Sequence, residues 1–158
     1  MKIQPIAPAD TAFNGVVSML RDANLPTDDL GDETVTLFAY VHAGEICGAV
    51  GLQIVADNSA LLRSLVVPPE FRGRGLGDVL AAFAERQSAS QNLAELYLLT
   101  DTAERFFQRR GYDFVLRENA PEAIRNTEQF SALCPASAHL MRLVLHDRVK
   151  TPEETHHP

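Results

Sequence analysis

The hydrophobic pattern changes period once between Leu61 and Ala89, and a glycine-rich turn marks the change. Leu61-Leu62-Arg63-Ser64-Leu65-Val66-Val67 reads as an apolar strand over 60–67, whereas Leu76, Val79, Leu80, Phe83 and Ala84 recur at helical spacing over about 75–89. Between them stands Arg72-Gly73-Arg74-Gly75-Leu76-Gly77. A helix starting on such a turn exposes backbone N–H groups without intrahelical partners at the positive end of its dipole. Glycines let a phosphate approach those groups closely, and Arg72 and Arg74 add two charges. The segment therefore predicts a pyrophosphate site.

Two familiar phosphate-binding patterns are excluded. A dinucleotide fingerprint starting at Gly73 requires Gly or Ala at position 78, which is Asp78, and it belongs to the first strand and helix of a parallel unit. Strands of antiparallel character come first here. A Walker-type loop requires Gly-Lys followed by Ser or Thr, and the chain has no such triplet.

The flanks supply those strands. A weak alternation over 2–6 predicts an edge strand, and Asp10 or Thr11 can cap a helix with Phe13, Val16, Val17 and Leu20 on one face. Asn24, Pro26 and an acidic segment over 27–33 end it. Two strand-like runs between Thr34 and Val55 flank Ala43-Gly44 as a hairpin, and with 60–67 they make a three-strand meander. After the 75–89 helix come a strand over 93–100, a short helix over 102–110, a strand over 112–116 after Gly111, a mostly helical 121–133 and a last strand over 138–145. This alternation implies crossovers in a mixed sheet. Residues 146–158 read as a charged, disordered tail.

Composition bounds the class. A chain of 158 residues, 46% hydrophobic, fits one domain with one core. With 14 Lys+Arg against 21 Asp+Glu, a net charge of −7 gives no global attraction to nucleic acid or anionic membrane. Cys47 and Cys134, far apart and without any CxxC, indicate neither a disulfide framework nor a zinc site, so no metal is expected and a reducing cytoplasm is the simplest home. The first ten residues lack a signal-peptide pattern, and no run of about 18 apolar residues occurs.

Arg72-x-x-Gly75-x-Gly77 after Leu65-Val66-Val67 resembles the acetyl-CoA signature of GCN5-related N-acetyltransferases (GNAT), Gln/Arg-x-x-Gly-x-Gly/Ala. Ala103, Phe106, Phe107, Gly111 and Tyr112 resemble the Ala-x-x-Phe-Tyr-x-x-x-Gly-Phe stretch after that family's fifth strand. Together the two motifs cover about residues 45–116. Pro121-Glu122-Ala123-Ile124-Arg125 through Phe130, Leu133-Cys134-Pro135 and Met141 are also similar to arsenic-resistance-associated, ArsN-type N-acetyltransferases. The resemblance implies an α/β (α+β) GNAT fold: a single domain over 1–145, with a mixed, mostly antiparallel sheet of six or seven strands flanked by helices. It implies antiparallel fourth and fifth strands that splay around acetyl-CoA. Leu65, Val66 and Val67 would meet the pantetheine, the amides from Arg72, Gly73, Arg74, Gly75, Leu76 and Gly77 would hold the pyrophosphate, and Thr100 and Phe107 would be further cofactor contacts.

Acetyl transfer to an amine needs a polarised thioester carbonyl, a neutral nucleophile and a route for the leaving thiolate. The backbone N–H of Leu65 or Val66 is the candidate for the carbonyl. Phe107 stands where the family often has an acidic tyrosine, so Tyr112, Thr100, a water or unassisted departure replaces it, and a thiol pKa near 8.5 makes the last tolerable. Glu33 and Asp101 through water, or His42, are candidate bases, each with a surface or turn role as its plainer alternative. Arg63 sits in mid-strand. It either points into the acceptor cleft, where it clamps an oxyanion with Ser64 or Thr100 and with Glu33 nearby, or it points outward as a surface cation paired with Glu45 or another acid. Cys47 reads as a small buried hydrophobe, and nothing brings it to Cys134 as a metalloid site.

The resemblance thus implies an acetyl-CoA-dependent N-acetyltransferase for a small primary amine, an amino acid or an amino-acid-like arsenical or phosphinate. N-acetylation of a glutamate-like metabolite is a second enzymatic reading, and a noncatalytic acyl-CoA sensor is the rival from another class. A small-molecule partner is expected, without nucleic acid or membrane, and homodimerisation is left open.

Overall fold

The computed structural model describes residues 2–55, 58–133 and 137–145. The expected tail and Cys134 lie outside them. Seven strands form one mixed sheet: β1 (Lys2–Ile6), β2 (Val35–His42), β3 (Glu45–Val55), β4 (Ser59–Val66), β5 (Glu95–Thr100), β6 (Asp113–Val115) and β7 (His139–Val144), in the order β1-β2-β3-β4-β5-β7-β6. Helices α1 (Thr11–Asp22), α2 (Leu76–Ser90), α3 (Glu104–Arg109) and α4 (Glu122–Arg125) connect them. The expected 121–133 helix is only α4 and a π-helical turn, Gln129–Leu133. The chain's contacts group it into two compact units, 1–53 with 62–84, and 54–61 with 85–158.

In the first unit β1 pairs antiparallel with β2 and β2 with β3. Pro5 is tolerated because β1 is an edge strand. The two-residue hairpin turn has both central residues left-handed, Ala43 at φ 52 and Gly44 at φ 79, which matches a type I′ twist. Val16 and Leu20 of α1 are buried against Ile6, Leu37, Ala39, Ala49 and Val66. Leu30 joins that core from the acidic 27–33 segment, so this segment is anchored rather than merely solvated. An added Cβ on Gly48 would lie 3.0 Å from the Val66 carbonyl oxygen, and one on Gly51 would lie 3.3 Å from that of Arg63. Close approach of β3 to β4 therefore depends on glycine at both positions.

In the second unit Ser59, Ala60 and Leu61 pair in parallel with Glu95, Leu96 and Tyr97. The expectation of antiparallel fourth and fifth strands is thereby corrected. A helix lies between them in the chain, and such a crossover returns the next strand in the same direction. Strand β7 inserts between β5 and β6, antiparallel to both. Leu61, Tyr97, Ala120, Ile124 and Leu140 form the core here. No helix among the described residues is long and apolar enough to cross a membrane.

Candidate functional site

Strand β4 leads into the turn at 72–77, and from Leu62 onward both lie within the first unit. A 3₁₀ turn, Pro69–Phe71, reverses the chain, and the Arg72 Nε donates to the Val67 carbonyl at 2.9 Å, which latches the turn to the strand end. Gly73 at φ 80 and Gly75 at φ 77 take the left-handed conformation that a side chain resists, and a Cβ on either would meet nothing within 4 Å. Space is thus open over the turn. The Val79 N–H reaches the Gly75 carbonyl at 3.1 Å, so α2 begins directly on the glycine turn. Arg72 and Arg74 are exposed, and Arg74 lies 5.6 Å over the Phe71 ring. Left-handed glycines, a fifteen-residue helix and two cations match the donor set a diphosphate needs.

Upstream, β4 departs from regular strand geometry. Ser64 has φ 58, a left-handed conformation that costs a non-glycine residue of order 1–3 kcal/mol. Leu65 and Val67 are half-buried and Val66 is buried. Arg63 corrects the outward-facing expectation. It is 2% exposed, and its guanidinium forms a two-pronged pair with Asp29, at 2.6 Å to Oδ2 and 2.5 Å to Oδ1. Its Nη1 also donates to Gln53 Oε1 at 3.1 Å and its Nε to Ser64 Oγ at 3.3 Å. Arg63 is therefore not a surface cation, and an acceptor's oxyanion would have to displace Asp29 to use its fork. Glu33, weighed as a base, is exposed. His42 is exposed where β2 ends, across from Glu45. The neighbouring Asp32 holds its carboxyl below the usual carboxylate range, chiefly through the Thr34 backbone N–H and then its hydroxyl.

The remaining candidates, apart from Cys47 in the first unit, belong to the second unit, and most are committed to packing. Phe107 is 5% exposed, with its ring edge-on to Phe106 at 4.9 Å and to Tyr112 at 5.3 Å. The Tyr112 hydroxyl donates to Glu85 Oε2 at 3.1 Å, and the same carboxylate takes Arg110 Nε at 3.0 Å and Nη2 at 2.7 Å. Tyr112 is thus held by a buried acid. Thr100 Oγ1 accepts the Ala103 N–H at 3.0 Å at the entrance to α3. Asp101 is exposed, as is Arg125 on α4. Cys47 is buried and its thiol faces the Glu45 carbonyl at 3.7 Å. Among the described residues no three His, Cys, Asp or Glu side chains gather as a metal site.

Sequence reasoning missed Asp29. One aspartate among several in an acidic loop carries no local signal that it pairs with a strand residue 34 positions away.

A domain model described as "Acetyltransferase (GNAT) domain" matches residues 33–113, half of the chain. The chain belongs to this family. It is similar, at 31% identity over 87 residues, to an uncharacterised N-acetyltransferase of Chlorobaculum tepidum, with 55% of this chain and 56% of that protein covered. It is also similar, at 33% over 81 residues, to an amino-acid acetyltransferase of Ectopseudomonas mendocina, with 51% and 19% covered. The chain thus spans little more than half of the first relative and about a fifth of the second. Among solved structures, a Mycobacterium tuberculosis protein in complex with CoA has a TM-score of 0.74 at 16% identity, over 92% of this chain and 99% of that one. N-acetylglutamate synthase from Neisseria gonorrhoeae, complexed with coenzyme A and N-acetyl-glutamate, has a TM-score of 0.73 at 16% identity, over 92% and 36%. At these identities the likeness establishes the fold.

Proposed function

We propose that this chain is an N-acetyltransferase that holds acetyl-CoA by its diphosphate at the 72–77 turn and acetylates a small primary amine. The observation that carries the reading is the turn itself: two left-handed glycines with open space above them, two exposed arginines and the first amides of α2. Acetyl-CoA supplies an acyl carbon activated as a thioester. Backbone groups of Leu65 and Val66 face that carbonyl in this reading, directed by the left-handed Ser64 before them. Phe107 cannot give a proton and the Tyr112 hydroxyl is committed to Glu85, so departure of the thiolate relies on its own low basicity or on water.

An amino acid or amino-acid-like acceptor, arsenical and phosphinate analogues included, is the finer reading. The names of the amino-acid acetyltransferase and N-acetylglutamate synthase relatives favour an amino-acid acceptor. Arg63 supports it less than its position in the strand suggested, because Asp29 already fills the fork. A noncatalytic acyl-CoA sensor is the rival, favoured by the commitment of Phe107 and Tyr112 to packing.

Gly75→Asp places a carboxylate on the open turn and should weaken CoA binding by more than about tenfold, or roughly 1.4 kcal/mol. Calorimetric titration of the folded variant checks it, and an unchanged dissociation constant removes the diphosphate from this turn. Thiol release with a panel of amines separates enzyme from sensor: saturable CoA binding without turnover on any amine selects the sensor.

A further inference from the structure

Among the described residues, five that are not glycine have a positive φ, and four of them, Asn24, Ala43, Asn58 and Asn92, stand in turns between elements. Ser64 is the exception, inside β4. Serine does not prefer this conformation, so the surroundings must impose it. The side chain preceding it is Arg63, whose guanidinium is fixed by two bonds to Asp29 and a third to Gln53 and whose Nε points to the Ser64 hydroxyl. Gln53 in turn donates to Thr34 Oγ1 at 3.2 Å, and Asp32 Oδ1 accepts the Thr34 N–H and hydroxyl at 2.8 and 2.7 Å. Gly51 on β3 leaves room for the arginine, since a Cβ there would lie 3.2 Å from Arg63 Cγ.

We infer that Asp29 and Arg63 are positioning residues whose pair holds Ser64 left-handed and thereby aims the backbone of Leu65 and Val66. A planar fork with two bonds to one carboxylate cannot rotate, so its Nε–H has one direction, and that direction is Ser64. Burying such a pair is a poor route to stability, because apolar replacements of similar volume often do as well. A directional role accounts for an ion pair at a place where bulk alone would fill the space. The catalytic consequence rests on the acetyl-transfer reading, whereas the conformational claim does not.

The test compares Asp29→Asn, Arg63→Met and the charge-free double variant Asp29→Leu/Arg63→Met, which folds without a stranded buried charge. NMR Cα and Cβ shifts of Ser64 should move from left-handed toward extended values in each folded variant. A Ser64 that stays left-handed in all of them overturns the inference, whether or not the protein is an enzyme. For turnover, Arg63→Met should lower kcat at least tenfold with KM for acetyl-CoA changed less than threefold. In a Ser64→Gly background, where the conformation needs no support, the same substitution should lower kcat less than threefold. Equal losses in both backgrounds overturn the positioning role. Absence of CoA binding and turnover in the unmodified protein instead removes the acetyl-transfer reading and leaves the shift experiment decisive.

Discussion

Arg63 and Arg110 each grip a buried carboxylate with both ends of the guanidinium, at 2.5–2.6 Å to Asp29 and 2.7–3.0 Å to Glu85. In each case the next residue is left-handed: Ser64 at φ 58, and Gly111 at φ 100. Glycine adopts that conformation without strain and needs no tie, so the Arg110 pair is left to join α2 to the end of α3 with the Tyr112 hydroxyl as third partner. Serine does need one. The same ion pair thus anchors a fold in one unit and holds a strained backbone beside the candidate acyl site in the other.

The contrast is broken most forcefully at Arg110. Arg110→Met leaves Glu85 buried without that counter-charge and should cost about 3 kcal/mol, roughly 6–12 °C in Tm for a chain of this length, while the folded fraction keeps its turnover per site. Thermal unfolding together with CoA-titrated activity checks both halves. A variant with intact Tm and lost turnover would put the positioning pair in the wrong unit.

A smaller effect sharpens the role of the following residue. Gly111→Ala forces a side chain into φ 100 and should destabilise by about 1–2 kcal/mol in chemical denaturation, whereas Ser64→Gly should be neutral or stabilising by up to about 1 kcal/mol. A destabilising Ser64→Gly would mean that Ser64 is not strained.

The smallest expected change concerns a second tyrosine–carboxylate contact. Tyr97 donates to Glu95 Oε1 at 3.0 Å, and burial, then that carboxylate, push its hydroxyl above the usual value near 10. The folded chain holds this proton more tightly than the unfolded one. Its contribution is therefore complete below about pH 10 and is lost as pH rises through the folded pKa. Tyr97→Phe should flatten the alkaline limb of a stability–pH profile and leave the neutral plateau's slope unchanged. An unaltered alkaline limb would assign that loss to other groups.

Much of this molecule is legible residue by residue. The glycine turn, the α2 periodicity, the Ala43-Gly44 hairpin and the apolar face of α1 all appear where local spacing placed them. Each depends on dihedral preference or on side-chain period over one or two turns of chain, which a sequence carries directly. The family followed from two such local motifs. The acceptor side did not, because every assignment there turned on where a side chain points.

Sequence alone determined that an anion-ready turn follows an apolar strand and opens a helix, since glycine φ freedom, helix-end amides and nearby arginines are all local properties. Only the tertiary structure decided that Arg63 is spent on Asp29, that Tyr112 is spent on Glu85, and that β7 enters between β5 and β6. Those choices join residues 25 to 49 positions apart, from Val115 and Leu140 to Glu95 and Val144. At such separations loop closure costs little more for one partner than for another, so burial and packing, rather than any local preference, select the pair.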